Sequence, residues 1–209
     1  MQINTVKLGR NATNCYILHS NKEGLIIDPG AAQDFELIRG KLDLNKYNYK
    51  YIINTHAHFD HIGANSKLKQ KTKAQIAIHE EEAPALEDPE LNSSFLVGKK
   101  IISPSADIIL HDEEELNFGR YVLEVYHTPG HSPGGIVIYV PEEKVLFSGD
   151  TIFRGGVGRT DLPGGDSTKL ESSLQRIKKL LPPKVKIYPG HGEPTMLEEF
   201  YNSVFPQIY

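Results

Sequence analysis

Apolar residues along this chain arrive in short runs closed by glycine, proline, asparagine or aspartate, the signature of strands joined by tight turns. Residues 1–28 predict three strands in a meander, with turns at Gly9-Arg10-Asn11 and Asn21-Lys22-Glu23-Gly24. The third, Gly24-Leu25-Ile26-Ile27, ends on Asp28-Pro29-Gly30. Further strands are expected at Tyr51-Ile52-Ile53, 75–79, 108–110, 121–126 and 185–188, and a hairpin joins 136–140 to 145–147 across Pro141-Glu142-Glu143-Lys144. Loose helical spacing of Phe35, Leu37, Ile38 and Leu42 predicts a helix over 32–44, and another is expected over 63–73. A third runs through Leu170, Leu174, Ile177 and Leu181, capped at Asp166-Ser167-Thr168 and stopped by Pro182-Pro183, and a short last one covers 195–201. Residues 84–107, punctuated by Pro84, Pro89, Gly98 and Pro104, predict irregular chain with a short helix, and 112–115 a charged turn. Phe95 and Leu96 read as packing under that irregular loop in preference to touching substrate.

Length and charge narrow the class without naming an activity. The 209 residues suffice for one domain with a large core. A net charge of −4 with acids and bases intermixed provides no global field for nucleic acid or anionic lipid. Lys67, Lys69, Lys71 and Lys73 lack interleaved aromatic or arginine partners and read as a solvated helix face. The first residues contain no apolar leader and no segment approaches membrane-spanning length, so a cytoplasmic protein with neither membrane nor nucleic-acid partner is expected. The oligomeric state is not legible. The single cysteine, Cys15, lies in a strand-like run and reads as a small buried hydrophobe.

The chemistry enters with Thr55-His56-Ala57-His58-Phe59-Asp60-His61, directly after an apolar run. Imidazole and carboxylate without a nearby thiolate suit zinc, iron or manganese in a reactive site better than a structural zinc cage. One loop cannot surround a metal, and three other places offer ligands: His131 after Thr128-Pro129-Gly130, Asp150 after Val145-Leu146-Phe147-Ser148-Gly149, and His191 after Tyr188-Pro189-Gly190. Each follows a predicted strand, and each stands immediately after a glycine that allows close backbone approach. His79 and His127 fall outside this set; His79 reads as a polar edge residue, and His127 as pointing away from the face of His131. The glycine-rich stretch from Thr151 to Asp166 lacks the spacing of a phosphate loop. Within it, Arg159 and Asp161 read first as a salt bridge that holds the loop, and second as a substrate contact through Arg159.

His56-x-His58-x-Asp60-His61 with His131, Asp150 and His191, in this order, resembles the metallo-β-lactamase superfamily from about Asp28 to His191. The resemblance implies an α/β fold, a four-layer αββα sandwich, as a single domain over 1–209. It implies His56, His58 and His131 on one metal, Asp60, His61 and His191 on a second, and Asp150 bridging, with Asp28 in support behind them. Asp150 where dizinc β-lactamases carry cysteine, and His58 where diiron oxygen reductases carry glutamate, resemble the hydroxyacylglutathione hydrolases (glyoxalase II). Gly158-Arg159 and Thr160-Asp161-Leu162-Pro163-Gly164-Gly165-Asp166 resemble their short subgroup. The activity implied by that resemblance is thioester hydrolysis, on substrates such as S-lactoylglutathione, by a metal-activated hydroxide. Two divalent metals, zinc ahead of iron or manganese, are implied, with Asp60 and Asp150 as the carboxylates of the catalytic centre. Only 18 residues follow His191, which leads to the expectation that the C-terminal helical domain of the longer enzymes is missing. A mononuclear-iron persulfide dioxygenase is the second enzyme reading, and a non-catalytic metal- or nucleic-acid-binding protein the reading of another class.

Overall fold

The computed structural model describes residues 1–208. Strands β1 (Gln2–Leu8), β2 (Thr13–Ser20), β3 (Glu23–Ile27), β4 (Asn48–Ile53), β5 (Gln75–His79) and β6 (Ile108–Leu110) form one sheet in that spatial order. β1, β2 and β3 pair antiparallel, as their turn residues predict, while β4, β5 and β6 add parallel. A parallel return requires a crossover. Helix α1 (Phe35–Arg39) lies in the first, α2 (Phe59–Ile62) and α3 (Asn65–Thr72) in the second, and two short 3-10 turns, Ala83–Leu86 and Ser94–Val97, in the third.

The second sheet begins with β7 (Glu115–Phe118), β8 (Tyr121–His127), β9 (Ile136–Val140) and β10 (Val145–Gly149), antiparallel throughout. A two-stranded ribbon, β11 (Ile152–Phe153) and β12 (Gly156–Val157), and helix α4 (Ser167–Leu180) then lead to β13 (Lys186–Pro189), parallel to β10, and to the edge strand β14 (Thr195–Met196). α4 is capped as predicted, with Asp166 Oδ1 accepting from the Thr168 and Lys169 N–H groups at 2.9 and 3.0 Å.

Why the strands read as unbroken apolar runs is clear from where alternate side chains go. Leu25 and Ile27 enter the core between the sheets with Tyr51, Ile53, Ile138 and Phe147, whereas Ile26, Ile52 and Ile76 face Ile38, Ile62 and Leu68 on the helical side of the first sheet. Likewise Val137, Leu146 and Ile187 meet Leu170, Leu174 and Ile177 of α4 on the far side of the second sheet. Along the central strands both faces of both sheets are buried, which produces the four layers α, β, β, α.

Several elements depart from the pattern reading. The helix expected over 32–44 is a 3-10 turn, Ala32–Asp34, followed by the five residues of α1, because one turn brings the chain back toward β4; Leu37 is left 56% exposed. Strand β7 was hidden by having only two apolar residues, Leu116 and Phe118, between charged and polar neighbours, and the ribbon β11–β12 by its glycines. The final helix begins two residues late, after β14, and helical turns continue through Leu197–Glu199, Phe200–Val204 and Phe205–Ile208. His79 is not an edge residue but is buried and stacked on His127, with ring centroids 4.0 Å apart. Phe95 and Leu96 are not packed beneath a loop; they are exposed.

The sheets are tied together at one edge. Asn14 N–H donates to the Gly190 carbonyl at 2.7 Å, the Tyr16 hydroxyl to the Pro189 carbonyl at 2.5 Å, and Ile136 N–H to the Thr55 carbonyl at 2.9 Å. Behind this seam Phe147, fully buried, packs on the rings of Tyr16 and Tyr188 at 5.1 and 5.5 Å. Phe147→Ala is expected to lower stability by about 3–5 kcal/mol, the usual cost of a buried phenylalanine truncation, read from the midpoint of chemical denaturation.

Candidate metal centre

Five chain segments meet at the tied edge, each at the end of a strand. Asp28 follows β3, His56 to His61 follow β4, His131 lies between β8 and β9, Asp150 follows β10 and His191 follows β13. Close approach explains the glycines: a Cβ on Gly190 would stand 2.2 Å from Asp150 Oδ1, and one on Gly149 2.4 Å from Thr55 Oγ1. Neither position accepts another residue without displacing the site.

A hydrogen-bond partner outside the cluster orients most of the rings. Thr55 donates its N–H and Oγ1–H to the Asp28 carboxylate at 2.8 and 2.6 Å, so Oγ1 is left to accept from His56 Nδ1 at 3.1 Å. His131 Nδ1 donates to the Arg159 carbonyl at 2.7 Å, and His191 Nδ1 to the Asn11 carbonyl at 2.9 Å. His61 Nδ1 stands 3.1 Å from Asp28 Oδ2. These contacts turn four Nε2 atoms inward, and His58 is the exception, presenting Nδ1.

The inward atoms crowd one another in a way hydrogen bonding does not explain. His58 Nδ1 lies 3.0 Å from His131 Nε2, and His61 Nε2 3.3 Å from His191 Nε2. Asp150 Oδ2 lies 3.6 Å from His131 Nε2 and 3.4 Å from His191 Nε2, and Oδ1 3.6 Å from His61 Nε2. Asp60 Oδ2 is 3.6 Å from His191 Nε2 and accepts from Asn11 Nδ2 at 2.9 Å and Thr13 Oγ1 at 3.2 Å. His56 Nε2 and Asp150 Oδ1 are buried with no partner. Ligands about 2.1 Å from a shared tetrahedral cation lie about 3.4 Å apart, so this spacing and the orphaned atoms fit a metal. Three groups can each hold one: His56, His58 and His131; His56, His61 and Asp150; Asp60, His61 and His191.

Electrostatics point the same way. Burial drives the His56 ring well below its ordinary pKa, with His61 adding to it, and takes His58 down to about 3 with the help of His131. These rings are neutral lone-pair donors. Burial also lowers His61, but the carboxylates of Asp150, Asp28 and Asp60 outweigh it and raise the pKa to about 10. Burial would raise Asp150, yet His61, His191 and His131 hold it well below the usual carboxylate range. Neutral imidazoles and ionised carboxylates together make a donor set suited to a cation.

The structure therefore brings together His56, His58, Asp60, His61, His131, Asp150 and His191, with Asp28 behind His61 and Thr55. The Arg159 guanidinium is paired through Nε and Nη2 with both Asp161 oxygens at 2.6 and 2.7 Å, and the Arg159 carbonyl reaches the site through His131. Sequence reasoning missed Glu82. Its buried carboxylate accepts from Ala57 N–H at 2.8 Å and from Gly134 N–H at 2.9 Å, clasping the loop of His56 and His58 to the loop of His131. As the last of three consecutive glutamates it carries no distinguishing signal. Asn11 and Thr13 were missed as well, since a turn asparagine and a strand threonine are ordinary where they stand.

Nitrogen and oxygen donors gathered at the joined edge of a four-layer sandwich make a site suited to divalent metal. The chain belongs to the metallo-beta-lactamase superfamily, whose family model matches residues 8–191. It is 36% identical over 196 residues to the probable metallo-hydrolase YqgX of Bacillus subtilis, covering 93% of this chain and 92% of that one. To the hydroxyacylglutathione hydrolase GloC of Haemophilus influenzae it is 35% identical, covering 94% and 93%. Among solved structures it is similar to BLEG-1, described as a B3 metallo-beta-lactamase, at a TM-score of 0.90 and 39% identity over 96% of this chain and 97% of that one. It also resembles TTHA1623 in a di-iron-bound form, at a TM-score of 0.82 and 33% identity over 97% and 98%.

Replacing Glu82 by glutamine turns one acceptor into a donor facing a backbone N–H. Glu82→Gln is expected to cost about 1–3 kcal/mol of stability and to lower bound metal per chain, read by denaturation and by elemental analysis of the same preparation.

Proposed function

We propose that this chain hydrolyses thioesters of small-molecule thiols, S-lactoylglutathione being the first to test, with two divalent metals bound at the cluster and zinc the first choice. The observation that carries the reading is the position of Asp150, whose two oxygens face His131 and His191 on one side and His61 on the other. That arrangement suits a carboxylate shared between two cations. His56, His58 and His131 would hold one metal, Asp60, His61 and His191 the other, with Asp150 common to both. Bound metals supply Lewis acidity and a water of lowered pKa.

The chain's own groups do the rest. Asn11 and Thr13 fix Asp60, while Thr55, Asp28 and the Arg159 carbonyl fix ring orientation, so ligand basicity and geometry are set before substrate arrives. No serine or cysteine nucleophile is needed, and Cys15 is buried in the core. A thiolate leaves with little acid assistance because it is only weakly basic. The likeness to GloC supports the thioester as substrate class. The likeness to a di-iron form makes iron the competitor to zinc, and the likeness to BLEG-1 makes a β-lactam a necessary control. A small molecule is the proposed partner, in keeping with the mixed charges and net −4. No helix among the described residues is long and apolar enough to cross a membrane, and a cytoplasmic setting is part of the same proposal.

The decisive experiment is elemental analysis of purified protein beside assays on a thioester, a β-lactam and a persulfide. Two zinc per chain with thioester turnover is expected; one iron with oxygen consumption on the persulfide would overturn the reading. Asp150→Asn removes charge and one oxygen ligand, and should lower metal content and turnover together. The roles given to Asp150 would have to be withdrawn if that variant kept full metal and wild-type kcat.

A further inference from the structure

Beside Asp60 opens a cleft of about 440 Å3, within the range of small-ligand sites. Its lining includes the β1–β2 turn with Arg10 and Asn11 and the irregular segment with Val97, Lys99 and Ile101; Phe59 and Asp60 join it to the histidine cluster. The turn hangs directly on that cluster, because Asn11 donates to Asp60 and its carbonyl accepts from His191. Whatever fills the cleft therefore lies against the metal-binding edge.

Two cations line it without a partner. Lys7, Arg39, Lys69, Arg159 and Arg176 are each paired with a carboxylate. Arg10 and Lys99 are exposed, and among the described residues neither makes an ion pair or a hydrogen bond. Two acids also line the cleft, and neither forms an ion pair with Arg10 or Lys99. Asp34 is buried beneath the turn, where Oδ1 accepts from Gly9 N–H at 3.1 Å, and Asp60 is engaged by Asn11 and Thr13. Two unpartnered cations therefore line a cleft whose walls also include Leu8, Phe59, Val97 and Ile101.

We infer that this cleft binds an anionic group on the thiol carrier of the substrate, with Arg10 and Lys99 as its recognition residues and the apolar wall covering the carrier's uncharged part. The inference rests on the thioester-hydrolase reading and adds the substrate's charge to it. A guanidinium presents a fork to carboxylate or phosphate, and an ammonium in the same cleft adds a point charge. Attraction at a place remote from the scissile bond improves capture or is used at the reacting carbonyl.

The test compares one acyl group on three carriers: glutathione, with carboxylates; coenzyme A, with phosphates; and N-acetylcysteamine, uncharged. With metal-loaded wild-type protein, kcat/KM for an anionic carrier should exceed the neutral one by about tenfold or more, and added salt should shrink the margin. The larger of the two anionic values identifies the anion. In Arg10→Gln/Lys99→Gln the anionic-to-neutral ratio should fall at least about fivefold, chiefly through KM. Lys179→Gln, on the exposed face of α4, should leave the ratio in place. Binding of S-methylglutathione and of 3′-phosphoadenosine 5′-phosphate by calorimetry supplies a readout that needs no turnover. Absence of thioester hydrolysis, with charge-dependent binding of either compound retained, would remove the hydrolase reading and leave the anion site standing. Equal wild-type use of charged and neutral carriers, or a double variant with an unchanged ratio, would overturn the anion site.

Discussion

Three carboxylates, Asp28, Asp60 and Asp150, are brought among imidazoles at a place where water is largely excluded, and the rest of the molecule is arranged to make that tolerable. A desolvated carboxylate is costly unless hydrogen bonds and positive charge surround it. Asp28 takes two donors from Thr55 and lies against His61, while Asp150 comes from the other sheet to meet the same ring. Each sheet thus supplies part of a charge balance that neither completes alone, and the sheets have to be in register at this edge for the balance to close. Asp28 adopts φ +49, a conformation that few residues other than glycine accept, and its two bonds from Thr55 hold it there.

The supports around the cluster divide by the sheet they come from. Asn11, Thr13 and Asn14, at the β1–β2 turn, grip Asp60, His191 and the backbone around Gly190. Glu82, beyond β5, holds two histidine loops to each other. The ribbon β11–β12 stands over the second sheet's side, with Phe153 approaching the His191 ring at 6.1 Å. Ligand spacing is therefore set from behind by backbone and buried side chains, while the β1–β2 turn and residues 97–101 line the cleft beside it. The β1–β2 turn thus has two duties, holding Asp60 and His191 through Asn11 and lining the cleft with Arg10.

Residues alone were enough to place most of the longer strands, the helix through Leu170 and Ile177, and the gathering of His56, His58, Asp60, His61, His131, Asp150 and His191 at one edge. Those features rest on local causes. A run buried on both faces has to be apolar throughout, a ligand after a tight turn has to follow glycine, and histidines two and three positions apart on one loop are conspicuous. The length of α1 and the presence of β7 were not legible, because short elements carry too few periodic residues to stand out. Only the tertiary structure could decide the parts that depend on which distant groups become neighbours: Glu82 among three consecutive glutamates, the burial of His79 against His127, Arg159 contributing its carbonyl to His131, and Arg10 and Lys99 left unpaired in one cleft. A side chain's type fixes the bonds it is able to make, but its partners and its exposure to water are settled by packing between segments remote in the chain, and no local pattern encodes that.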